Sequence, residues 1–234
     1  MQIGIDVGAT KIESVVLDDK GNESNRERTE CPKDYLQIIR TIKESLATNK
    51  ITKIYGILNG TCNYILDQMT SNGMSFDDAL ISAKELGYAE ADPTFDINGT
   101  DTAHKISILS SLVYKINSPL GKTYIQGIDD ITSMDIKYAD ELGYSIKHVG
   151  ISRKYKQTVE CMAHPVLVPK DNIFSNVDGV MNALLIKGDR FGTSMLYGNG
   201  AGGDATASAV ISDLVDAINY VSNENKTCLL YTSP

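Results

Sequence analysis

Hydrophobic positions along the chain switch between a two-residue and a 3.6-residue period. Lys53 to Leu58 reads as a short strand, and Asn59-Gly60-Thr61 reads as a turn opening a helix that runs to about Ser71. Ser75 to Leu86 is expected as a second helix. Its apolar positions Ala79, Leu80, Ala83 and Leu86 repeat at helical spacing, Ser75 stands as its cap, and Asp77 and Asp78 fill its first turn. Gly87 stops that helix and Pro93 sets Asp92 into an extended or turn conformation. The chain is therefore expected to cross Tyr88 to Asn98 as an ordered loop rather than a helix. Asn98-Gly99 signals a turn, and a third helix starts around Thr100 and ends near Asn117, with Ile106, Leu109, Val113 and Ile116 as its apolar stripe.

Past that helix the pattern shifts toward strands. Tyr124 to Ile128 is one, followed by a polar helix from about Ser133 to Leu142. Ile146 to Ile151 and Thr158 to Met162 read as a meander, with Arg153-Lys154-Tyr155-Lys156 as its solvated turn. Val177 to Lys187 and Thr193 to Tyr197 are two further strands about Gly188-Asp189-Arg190, and Ala205 to Tyr220 is a closing helix. At the other end, MQIGIDVGATKIESVVLDDKGN reads as two strands joined by a glycine-bearing turn, followed by an amphipathic segment from Tyr35 to Ser45. The expected architecture is an α/β (α+β) domain over 36–222, with a mixed sheet covered by helices. A hairpin over 1–35 precedes it and an unstructured tail over 223–234 follows.

Composition narrows the function. A net charge of −8 over 234 residues argues against nucleic acid or an anionic membrane as a partner. No run of about twenty apolar residues occurs, and the N-terminus lacks the layout of a signal peptide. Cys31, Cys62, Cys161 and Cys228 are widely spaced with no CxxC pair, and the three histidines are scattered, so neither a metal site nor a disulfide framework is suggested. A reduced, cytoplasmic setting is expected.

The chemistry concentrates in Leu86 to Lys105, LGYAEADPTFDINGTDTAHK, which holds the acids Glu90, Asp92, Asp96 and Asp101 and one lysine. Asp101 and Lys105 lie at i, i+4 on the margin of an apolar stripe, within reach of each other and partly buried. Burial lowers a lysine's pKa and an opposed carboxylate raises it, which suits proton transfer. The alternative is an ordinary helix-surface ion pair. Gly60 would let the backbone approach a ligand, and Thr61 near a helix start would offer its hydroxyl and N–H to an anionic group; simple N-capping is the alternative. Gly198-Asn199-Gly200-Ala201-Gly202-Gly203, just before the last helix, is a candidate anion or cofactor contact.

GILNGTCNYIL (56–66), LGYAEADP, DINGTDTAHK, HPVLVP (164–169) and YGNGAGGDATASAVISDLVD (197–216) together resemble the substrate domain of the homoserine dehydrogenase family, over roughly Leu36 to Tyr220. That resemblance implies reversible hydride transfer between NADP or NAD and a small-molecule substrate, homoserine or aspartate semialdehyde, in a homodimer. It implies Lys105 and Asp101 as catalytic residues. Glu90 would bind the substrate amino group, with Gly60, Thr61 and Tyr88 seating the substrate, Asp96 adding an acidic contact and Gly200 reaching the nicotinamide; no metal ligand is carried over. The IGIDVGATK segment resembles the phosphate-binding start of a ROK-family sugar kinase, placing Asp6, Gly8, Thr10 and Lys11 at a nucleotide. The kinase's remaining motifs have no counterpart downstream, and no dinucleotide-binding βαβ unit is read. The join near residue 36 and the C-terminal CLLYTSP, which looks like translated adapter sequence, together read as a chimera. A kinase fragment and a non-catalytic dimerisation module are the alternatives.

Overall fold

Ile54 and Ser152 stand opposite each other on neighbouring strands, and the side chains that alternate with them point to the other face of one sheet. A computed structural model describes residues 49–200 in full, together with Ile211, Leu214 and the backbone of 2–7, 11–17 and 23–30. The chain divides into a unit over Ile38–Gly200 and a second unit comprising Met1–Gln37 and Ala201–Pro234.

In the second unit, β1 (Gln2–Val7), β2 (Lys11–Leu17) and β3 (Glu23–Glu30) pair antiparallel in that order. The two strands expected from the hairpin are present. β3 was not expected, because its sequence ESNRERTE offers no hydrophobic alternation to read. The nucleotide contacts suggested for Gly8 and Thr10, the helix expected over Ala205 to Tyr220 as a whole and the tail over 223–234 lie outside the described residues.

The unit over Ile38–Gly200 is built on a sheet of six strands: β4 (Ile51–Ile57), β5 (Tyr124–Ile125), β6 (Tyr144–Tyr155), β7 (Thr158–Pro169), β8 (Met181–Gly188) and β9 (Thr193–Asn199). Their order is β5-β7-β6-β4-β8-β9; β5 and β7 run parallel and the other neighbours antiparallel, so the sheet is mixed, as expected. Helices α1 (Gly60–Ser71), α2 (Phe76–Glu85), α3 (Thr94–Ile97), α4 (Thr100–Tyr114) and α5 (Ser133–Glu141) complete the unit.

α4 lies close against the sheet because Gly150 faces it: a Cβ there would meet Ile106 Cβ at 2.9 Å. Ser110 of α4 donates to Ser152 Oγ at 2.7 Å on the same face. Under α1, α2 and α5 a core forms from Cys62, Ile65, Leu66, Met69, Ala79, Ala83, Ile128, Ile136 and Ile146. Across the opposite face Met162, Ile151, Tyr55, Leu185 and Met195 make a continuous cross-strand row. They pack with Ile57, Val149, Phe174 and Val177.

Several boundaries differ from the sequence expectation. The turn of helix α3 sits inside the stretch expected as a non-helical loop. Pro93, with its φ fixed near the helical value, opens that turn, and Asp92 Oδ1 accepts from Thr94 N at 3.1 Å. β6 and β7 are longer than expected, paired from Tyr144↔Pro169 to Tyr155↔Thr158, since backbone ladders do not stop at polar side chains. Lys147 is accommodated within that ladder by Val177 O at 2.7 Å and the Asp178 carboxylate at 3.1 Å. α4 ends at Tyr114, where Lys115 takes a left-handed φ of 54°, before the expected Asn117. β8 starts at Met181 rather than Val177, because Asn63 Nδ2 donates to the carbonyls of Val177, Gly179 and Met181 and holds that stretch as a turn. Among the described residues no helix is long and apolar enough to cross a membrane.

Candidate active site

Leu58 and Asn59 link the end of β4 to the start of α1. Asn59 is the N-cap residue, and its Oδ1 accepts from Cys62 N at 2.8 Å. That bond must fall on the amide oxygen, so the amide nitrogen points the other way. It donates to Asp96 Oδ1 at 2.7 Å and to Asp101 Oδ2 at 2.8 Å. Asp96 comes from α3 and Asp101 from the first turn of α4, so one amide joins three helices.

One turn along α4, Lys105 Nζ donates to Asp101 Oδ2 at 2.7 Å and to the main-chain oxygen of Leu58 at 2.9 Å. The two side chains are 19% and 17% exposed, which makes this a partly buried pair with a fixed third partner rather than a solvated one. Cys62 Sγ donates to the Asp96 main-chain oxygen at 3.2 Å and ties α3 to α1. Burial first, then the nearby charges of Asp96 and Asp101, push its thiol well above the usual range, so it stays protonated.

The other sequence candidates fall around this network. A Cβ on Gly60 would meet Val180 O at 2.9 Å, so only glycine fits that approach. Thr61, which is buried, donates its hydroxyl to Tyr88 O at 2.7 Å, and the Tyr88 ring packs against Tyr64 at a 60° tilt with centroids 5.0 Å apart. Glu90 is exposed on the loop beyond Tyr88, and no ion pair joins it to Lys105. Gly200 is buried, with the Asn182 amide so close that a Cβ would fall 2.3 Å from its Cγ. Asn182 Nδ2 in turn lies 3.4 Å from Leu58 O, the carbonyl that holds Lys105. Residues 201–203 of the glycine-rich stretch lie outside the described residues.

Behind α4, His148 is buried, with Nε2 donating to Gln126 O at 2.9 Å and Nδ1 3.3 Å from the Thr102 hydroxyl. Burial lowers its pKa to about 4, so it is neutral near pH 7. Among the described residues no cluster of three or more His, Cys, Asp or Glu could hold a metal ion.

Sequence reasoning passed over Asn59, Asn182, His148 and the Leu58 carbonyl. Asn59 carried a signal only as a turn residue. Asn182 is an amide within the apolar strand MNALLIKG, a mismatch that could have marked it. A backbone carbonyl leaves no mark in a sequence.

A cation paired with one carboxylate, with a second carboxylate tied in through the Asn59 amide, can pass a proton to a developing alkoxide and favour an ammonium nearby. Comparisons with known proteins agree in kind. The homoserine dehydrogenase family model matches residues 38–215. A homoserine dehydrogenase of Pseudomonas aeruginosa is 46% identical over 189 residues, 81% of this chain and 44% of that protein. The crystal structure of a homoserine dehydrogenase from Thiobacillus denitrificans is 48% identical, with a TM-score of 0.78 over 80% of this chain and 43% of that one. A hyperthermophilic archaeal homoserine dehydrogenase in complex with NADPH is 31% identical, with a TM-score of 0.66 over 78% of this chain and 52% of that one. The chain spans less than half the length of the curated relatives it matches. With its sheet, its lysine–carboxylate network and its glycine contacts lying within the matched residues, the chain belongs to the homoserine dehydrogenase family.

Proposed function

We propose that this chain carries the substrate-binding and proton-transfer half of a homoserine dehydrogenase, which interconverts L-homoserine and L-aspartate 4-semialdehyde with NADP or NAD. The observation that carries the reading is Lys105, fixed by Asp101 and Leu58 O and still 19% exposed toward its surroundings. When bound, the nicotinamide supplies or accepts the hydride. Lys105 gives a proton to the oxygen at the reduced carbon, and takes it back in the reverse direction. Asp101 holds the ammonium in place. Asp96, with Glu90 from the loop, receives the substrate's amino group. Gly60, Thr61 and Tyr88 seat the rest of the amino acid.

The described residues fit only one end of the cofactor. Gly200, packed against Asn182, is assigned to the nicotinamide end, and no βαβ unit with a glycine fingerprint occurs among them. The adenine, ribose and pyrophosphate contacts are assigned to residues other than these.

We assign 36–222 to the substrate domain, with residues 1–35 a separate segment of kinase-like origin and 223–234 a tail. The family match beginning at residue 38 supports that boundary. A homodimer in the cytoplasm, with no nucleic-acid or membrane partner, is the proposed setting. The apolar cross-strand row from Met162 to Met195 supports the dimer. Calorimetric titration with homoserine tests the substrate reading. Saturable binding lost in Glu90→Ala is expected, and heat unchanged from a buffer blank would overturn it.

A further inference from the structure

We propose that Asn59 is a positioning residue that clamps the two site carboxylates into one geometry while serving as the cap of α1; the proposal deepens the substrate reading above and rests on it. Asn59 is buried, at 6% exposure, so its amide bonds are made away from water. One oxygen accepts from Cys62 N and one nitrogen donates to Asp96 and Asp101, which uses both of its N–H groups.

A cap residue needs only the oxygen. Ser, Thr and Asp cap as well as Asn, so capping alone does not select an amide. Asn and Gln carry a neutral double donor, and Gln is too long to cap from this position. The amide is therefore chosen for its nitrogen side. Two carboxylates brought together on α3 and α4 repel, and Lys105 donates to Asp101. The Asn59 amide bonds both carboxylates at once. It sets Asp96 at a fixed distance from the Asp101–Lys105 pair and holds both against the turn that carries Gly60 and Thr61. An amino acid whose ammonium lies against Asp96 would then present its reacting end to Lys105 in one register.

Asn59→Ser separates the two roles, because serine keeps the cap and loses the donors. The experiment combines urea denaturation and homoserine calorimetry on the whole chain, with Asn59→Ser made alone and in an Asp96→Ala/Asp101→Ala background. Alone, the substitution is expected to raise the unfolding constant about tenfold and to weaken homoserine binding about ten- to a hundredfold. In the acceptor-free background its unfolding cost is expected to shrink to roughly threefold or less. An equal cost in both backgrounds would overturn the clamp and leave a cap. Absence of homoserine binding by the unsubstituted chain, with the coupling present, would overturn the substrate reading while supporting the clamp.

Should the acceptor-free background not fold, amide exchange decides. Faster exchange from Asp96 to Asp101 with Cys62 N–H still protected supports the clamp in Asn59→Ser, and equal acceleration of both overturns it.

Discussion

Lys105 Nζ lies 2.9 Å from the main-chain oxygen of Leu58, binding the middle of α4 to the turn that follows β4. The contact fixes a charged group by backbone, which a change of side chain cannot rearrange. Replacing Lys105 with Met keeps the aliphatic stem and removes the ammonium. Among the described residues Leu58 O is then left with Asn182 Nδ2 at 3.4 Å, and Asp101 with the Asn59 amide. The expected cost is about 1–3 kcal/mol of stability, read as a lower urea midpoint at unchanged slope.

A second prediction concerns pH. The folded chain holds His148 neutral down to a pKa of about 4, whereas the unfolded chain takes up that proton near the ordinary value of 6.5. Above pH 6.5 neither state is charged there and the full stability is present. As pH falls below 6.5 the unfolded state gains a proton that the folded state refuses, so stability drops until about pH 4. The loss from this one group is about 3 kcal/mol across that window. His148→Gln should flatten that part of the stability–pH curve in urea titrations at pH 7, 6 and 5. An unchanged slope would show that other groups carry it.

Glycine substitutions should divide by what a Cβ would meet. In Gly150→Ala the new carbon falls 2.9 Å from Ile106 Cβ and 3.2 Å from Thr102 Cγ2, both on the helix that carries Asp101 and Lys105. Overpacking there is expected to cost about 1–3 kcal/mol. Gly121→Ala meets nothing within 4 Å and should be nearly neutral. Thermal melts of the two variants check the difference, and equal melting temperatures would refute it.

These contrasts also explain what the sequence could and could not tell. Element type was legible where periodicity was strong: α1, α2, α4 and α5 each begin within a residue or so of the expected position. Ser75 caps α2 as read, and Thr132 closes a full capping box on α5 that periodicity alone did not indicate. The short turn α3 was missed because a four-residue helix has no period to detect. Leu86 belonged to the apolar pattern of α2 and is nevertheless 56% exposed, since helical spacing gives a face and not its partner. Within the site, the Asp101–Lys105 pair followed from i, i+4 spacing. Its union with Asn59, 42 residues before Asp101, depended on how α1, α3 and α4 meet, which no local pattern encodes.

The last prediction concerns turnover. In a dehydrogenase of this kind most of the cofactor's affinity comes from the adenine, ribose and pyrophosphate contacts of a dinucleotide domain. Among the described residues no βαβ unit with a glycine fingerprint occurs. Where those remote contacts are lacking the hydride donor is not held against the substrate carbon, and positioning of that kind is worth roughly 7–11 kcal/mol in favourable cases. Even a fraction of that loss takes turnover below detection, however well Lys105 and Asp101 are arranged. The chain by itself is therefore expected to show no reduction of NADP by homoserine in a steady-state absorbance assay. An intact dinucleotide domain joined ahead of Ile38 should restore the rate, and Lys105→Ala in that fusion should abolish it while homoserine still binds. Turnover by the unmodified chain above its own Lys105→Ala control would mean that residues outside 49–200 hold the cofactor, and this expectation would fall.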